Sequence, residues 1–127
     1  MNLQFLKDLY LQHPHLKSLM AEIVLPGPKL ISLENIQASA FSFLAGSVFK
    51  KADVNHLFIL DDKEKAAYFH NDFETLTDAL DICLFPDSFK KSGIIGELNS
   101  SHVMLRAEAL MKLNAGAHRK VLVSYPE

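Results

Sequence analysis

A chain of 127 residues is the size of one domain with a single core, and 49% hydrophobic with 22% charged residues is an ordinary globular composition. The net charge of −2 and pI near 6.3 exclude the global basic footprint of an independent DNA-binding module. No apolar run approaches the roughly 18–20 residues that span a bilayer, and Asp8 interrupts the start where a signal peptide is unbroken, so a cytoplasmic protein is expected.

A lone cysteine, Cys83, excludes an internal disulfide and fits a reducing compartment. Within "DICLF" it reads as a small buried hydrophobe rather than a nucleophile. The pairs Lys50-Lys51, Lys90-Lys91 and Arg119-Lys120 read as solvated surface, because acidic residues interrupt any longer basic run.

Two short helices open the chain. Leu3, Leu6, Leu9 and Tyr10 line one face of the first; Leu16, Leu19, Met20 and Ile23 line the second. "HPH" (13–15) separates them and "PGP" (26–28) ends them, so residues 1–28 form an N-terminal helical segment. From residue 29 the pattern alternates. "KLISLEN" (29–35) predicts a short strand and 39–50 a helix with Phe41, Leu44, Ala45 and Val48 on one side. "HLFILD" (56–61) is apolar almost throughout, the mark of a strand buried on both faces. The next helix carries Ala66, Phe69, Phe73 and Leu76 at helical spacing. "DICLF" is another buried strand, and 86–96 an irregular connection. A helix over 97–114 presents Val103, Ala107, Leu110 and Met111, Gly116 stops it, and "KVLVSY" is the last strand. Alternating strands and helices with short connections imply a three-layer α/β/α domain over 29–127, with a mostly parallel sheet and right-handed crossovers. The ending "SYPE", directly after a strand, suggests a fragment of a longer chain cut at a domain boundary.

The segment 33–50 runs from strand-like residues through a polar turn into a helix, as a phosphate-binding loop does. Setting the frame G-x-x-x-x-G-K-[ST] on "NIQASAFS" places Asn35 and Ala40 at the glycines, Phe41 at the lysine and Ser42 at the magnesium-binding hydroxyl. Gln37, Ala38 and Ser39 fall between. The context fits and the chemistry is missing: no lysine faces the β- and γ-phosphates, and alanine at a left-handed position costs roughly 1–2 kcal/mol. Phe41 also belongs to the apolar stripe of the following helix, so it should turn inward. By spacing alone an ordinary strand-to-helix turn is the better reading. A bare helix N-terminus attracts an anion weakly.

Other candidates reduce to structure. The histidines at 13, 15, 56, 70, 102 and 118 lack metal-ligand spacing, so no metal site is expected. Asp61, Asp62 and Glu64 stand at a strand end, where a receiver-like domain binds magnesium, but helix capping explains them more simply. Asp72 and Glu74 are expected on a solvated face. Ser39 and Ser42 have no neighbouring base and no nucleophile elbow, so no catalytic residue is assigned. Within "FPDSFKKSGIIGEL" (85–98), Phe89, Lys90 and Lys91 form a possible interaction loop at the carboxyl end of a strand, where parallel sheets gather ligands.

Residues 29–127 resemble the N-terminal domain of the bacterial transcription-repair coupling factor, Mfd, of Bacteroides type. The resemblance rests on "ASAFSFLAGSVFKK" (38–51), "HLFILDDKEKAAYFHNDFETL" (56–76), "LFPDSFKK" (84–91), "NSSHVMLRAEALMKLN" (99–114) and "VLVSYPE" (121–127). It covers about three quarters of the chain in order. The resemblance implies a fold like the first motor domain of UvrB, a P-loop NTPase fold of the RecA type. It implies a decayed phosphate loop and a non-catalytic scaffold that supports UvrA recruitment and autoinhibition in nucleotide excision repair. No cofactor is implied for this segment; ATP and magnesium belong to a downstream DNA translocase motor. The implied partners are neighbouring domains of the same chain, with UvrA, RNA polymerase and DNA reached through other domains, and no membrane. Asn35, Ala38 and Ala40 depart further from glycine than that family usually does. The rival reading is a free-standing nucleotide- or phosphate-binding α/β protein, which Phe41 in place of lysine disfavours.

Overall fold

The computed structural model describes residues 2–79, 82–87, 100–116 and 118–126. Local signals set most element boundaries. Asn2 caps α1 (Leu3–Gln12) by accepting the Phe5 N–H. Pro14 takes the first position of α2 (Pro14–Ile23), where its missing N–H leaves nothing unsatisfied. Lys50 and Lys51 sit in the last turn of α3 (Ala40–Lys51), beside the negative end of its dipole. Asp62 accepts the Lys65 N–H at 2.8 Å to start α4 (Lys63–Leu76), while Asp61 pairs with the Lys65 side chain and Glu64 lies in the first turn. Gly116, at φ 64°, follows the end of α5 (Ser100–Asn114). Residues 97–99, where the sequence reading starts that helix, lie outside the described residues.

Strands β1 (His56–Ile59), β2 (Ile82–Phe85) and β3 (Val121–Ser124) form one wholly parallel sheet in the order β1-β3-β2. His56, Val121 and Ile82 share one level of the register; Phe58, Val123 and Leu84 share another. Because side chains alternate across a strand, these six point to the same face, which α3 and α4 cover. Phe49, Phe69, Phe73, Val121 and Val123 are buried there, with Phe41 and Phe58 packed against them. Cys83 and Phe85 point the other way, toward α5, whose Arg106 guanidinium lies 4.3 Å over the Phe85 ring and donates to the Pro86 carbonyl. The sheet is therefore flanked by helices on both faces. α1 and α2 pack on α3, with Tyr10 stacked 4.9 Å from Phe43 and Leu16 and Leu19 buried.

The structure departs from the sequence reading at several places, the expected apolar face of α1 among them, where Leu3 and Leu9 are exposed. Residues 29–35 join no strand among the described residues, so the expected first strand is not formed there and Leu30 is 96% exposed. Strand propensity does not supply a partner: 32–36 lie beside α1 and α2 instead. Next, β1 is covered on one face only. Leu57 is 59% and Ile59 68% exposed, because the helix on their side, α5, runs along β2. Finally, α5 turns Ala109 to the sheet and leaves Met104 72% and Met111 73% exposed, with Leu110 exposed too. Apolar residues occur nearly all round this helix, so spacing could not select its buried face.

At the amino end of the sheet, Arg119 ties β3 to α3, donating to the Phe49 and Ala52 carbonyls and stacking 3.5 Å over the Phe49 ring. His56 sits between Phe49 and Phe58 with Nε2 3.3 Å from the Ala52 carbonyl. Burial holds its pKa below the ordinary 6.5; the Ala52 carbonyl opposes this and Arg119 adds to it. Just below pH 6.5 the unfolded chain then binds more protons than the folded one, so stability rises with pH through that window. Thermal melts at pH 5 and pH 7 are expected to differ less for His56→Phe than for the wild type. Phe73→Ala should lower the unfolding free energy by about 3–5 kcal/mol in denaturant titration, and Met111→Lys by no more than about 0.5 kcal/mol.

Candidate functional site

α3 and α4 both begin at the carboxyl edge of the sheet: Phe41, in the first turn of α3, meets Phe58, near the end of β1. Residues 35–42 therefore lie at the edge where parallel sheets collect ligands. Asn35 and Ala38 take positive φ values of 60° and 50°. Asparagine accepts this conformation readily, whereas alanine is strained in it. Gln37, Ala38 and Ser39 are exposed, and Ser39 occupies the helix cap without a side-chain capping bond.

Several groups at the start of α3 have partners within the protein. The N–H of Ala40 donates to the Gln37 carbonyl at 3.1 Å and that of Phe41 to the Ala38 carbonyl at 3.4 Å. The Phe41 ring lies 5.3 Å from Phe69 and 6.4 Å from Phe58. The hydroxyl of Ser42, a buried residue, donates to Asp72 Oδ2 at 3.3 Å. Asp72 is thus half-buried and bonded, not on the solvated face the helical spacing suggested. Two backbone donors, the side chain at the lysine position and the hydroxyl at the magnesium position all have intramolecular partners.

Beside the turn a cleft of about 680 Å³ runs between α2, residues 32–36 and α3. Leu16, Leu19, Leu33, Ile36 and Leu44 make its walls, with Tyr10, His13, His15 and Glu34 among the polar groups. His13 Nδ1 accepts the His15 N–H as part of the cap of α2. Among the described residues no three His, Cys, Asp or Glu side chains gather as a metal site, and no helix is long and apolar enough to cross a membrane.

A second cluster at the same edge escaped the sequence reading. The Tyr125 hydroxyl donates to Asp87 Oδ1 at 3.2 Å, and His102 Nδ1 lies 3.0 Å from that oxygen. Burial pushes the Tyr125 phenol up, so it stays a neutral donor. Asp87 and Tyr125 each follow the end of a strand, and β2 and β3 pair side by side. That adjacency is the signal that would have joined them; His102, early in α5, needed the crossover geometry as well. With Arg106 on Pro86, the cluster anchors α5 to the strand ends. Phe89, Lys90 and Lys91, the possible interaction loop, lie outside the described residues.

Set beside known protein families, curated proteins and solved structures, the chain matches none.

Asp87→Ala removes the acceptor of the Tyr125 hydroxyl and the carboxylate beside His102, and should lower stability by about 1–3 kcal/mol in denaturant titration, with Asp87→Asn less affected. Ser42→Ala should lose about 0.5–1.5 kcal/mol in the same measurement.

Proposed function

We propose that this chain is a UvrB-like α/β scaffold with no nucleotide turnover, of the kind that opens a transcription-repair coupling factor, and that it works in DNA repair through protein–protein contacts. One observation carries the reading: the turn at 35–42 enters a helix at the carboxyl edge of the sheet, yet the positions that the phosphate-loop frame assigns to lysine and hydroxyl are used for folding. Phe41 fills the aromatic core and the Ser42 hydroxyl is bonded to Asp72. A phosphate loop needs the opposite, a cation and a hydroxyl turned outward with backbone N–H groups unbonded. The parallel sheet with helices on both faces is compatible with a P-loop NTPase ancestry of the RecA type, in which the cation site has been absorbed by the core. On this reading ATP, magnesium and DNA are handled by a motor in another part of the full-length protein. UvrA and RNA polymerase also bind other domains, and residues 1–127 hold neighbouring domains in place.

The rival, a free-standing nucleotide- or phosphate-binding protein, makes a different prediction. Calorimetric titration with ATP and magnesium should show no binding tighter than about 100 μM, roughly 5.5 kcal/mol of affinity; a tighter site would favour the rival. Residues 1–127 should also fail to retain UvrA in a pull-down, since the recruiting module is expected elsewhere. Retention of UvrA by this segment would refute the proposed division of labour.

A further inference from the structure

Residues 29–35 are seated poorly for so apolar a stretch. Leu30 is almost wholly exposed, Ile31 and Leu33 are exposed as well, and the cleft between residues 32–36 and the helices stays open. β1, meanwhile, is an outer strand of the sheet, with one edge unpaired among the described residues. The N–H groups of His56 and Leu60 donate to the Lys120 and Ser124 carbonyls of the β3 side. Alternation along the strand then turns the N–H and C=O groups of Leu57 and Ile59 to the free edge, where no strand among the described residues pairs with them. An unpaired edge of this kind is a template for another extended segment.

Chain topology identifies which segment. The step from β1 through α4 to β2 runs across the sheet in one direction, with α4 on the face shared by α3. Right-handed crossovers through helices on one face all advance the same way. A strand that precedes α3 must then lie on the side of β1 away from β3, which is the unpaired edge. It would also run parallel to β1, because α3 starts at the carboxyl edge and that strand must end there. Residues 29–35 lead directly toward α3 and carry the strand-forming pattern. Gly27, at φ 97° with open space around it, supplies a pivot between α2 and this segment.

We infer that residues 29–35 are a strap that closes onto the free edge of β1 as a fourth parallel strand, and that the arrangement described above is its open state. Closure satisfies the Leu57 and Ile59 backbone groups, places apolar side chains of the strap beside theirs, and protects the edge from foreign strands. In the open state that edge is free to accept an extended segment.

Residue-resolved hydrogen exchange on the whole chain tests this directly. Closure predicts that the Leu57 and Ile59 amides, together with alternate amides within 30–34, exchange at least about tenfold more slowly than an unstructured chain. His56 and Leu60, already bonded to the β3 side, serve as internal references. Free-chain rates at Leu57, Ile59 and all of 30–34 overturn the inference. Two substitutions add a second readout, since adjacent residues of a strand alternate in which one bonds its neighbour. Either Ile31→Pro or Ser32→Pro, but not both, should restore fast exchange at Leu57 and Ile59; equal effects, or none, overturn the ladder. Protection that grows with protein concentration alongside a dimer mass overturns closure within one chain.

Discussion

The fold depends on a cluster of phenylalanine rings where α3, α4 and β1 meet. Phe41 and Phe49 come from α3, Phe58 from β1, and Phe69 and Phe73 from α4, with neighbouring ring centroids 4.8 to 6.4 Å apart. Aromatic pairs at such separations add about 0.5–1.5 kcal/mol each beyond the area they bury. The cluster fixes α3 across the sheet at both ends, Phe41 at the carboxyl edge and Phe49 at the amino edge. It therefore sets where the turn at 35–42 can lie and how the helices α1 and α2, packed on α3, meet the rest of the protein.

Most elements were legible because their signals are local. Asp62 as a cap, Pro14 as the break between α1 and α2, Gly116 as a stop and the apolar spacing of Ala66, Phe69 and Phe73 all act within one or two turns. What was not legible depends on pairing. Residues 29–35 read as a strand from composition, but a strand exists only where a neighbour supplies the ladder, and that neighbour is remote in sequence. "HLFILD" read as buried on both faces, although whether Leu57 and Ile59 are covered depends on which strand α5 lies over. In α5 apolar residues occur on nearly every side, so Ala109 could not be told from Leu110. The Asp87, His102 and Tyr125 cluster needed strand order, which periodicity does not encode.

The candidate site shows the same division. That Phe41 cannot act as a lysine is plain from its identity, and its place in the helical stripe points it inward. That Ser42 would bond Asp72, thirty residues away, required the packing of α3 on α4. Together these contacts turn a position suited to holding an anion into part of the core. On the proposed reading, loss of chemistry and gain of packing are one event: the ring that removes the cation also fastens the helix. On that reading the protein acts through its surfaces, and β1 and α5 carry exposed apolar residues, among them Leu57, Ile59, Met104 and Met111.

The central claim is that the side chain at position 41 serves the core and not a ligand. The most direct measurement is the unfolding free energy of Phe41→Lys, with and without ATP and magnesium. The account predicts a loss of about 2–4 kcal/mol, from lost packing and a charge placed against the aromatic cluster, and no nucleotide-dependent rise in melting temperature. Stability equal to the wild type, with a melting temperature that climbs as nucleotide is added, would contradict it.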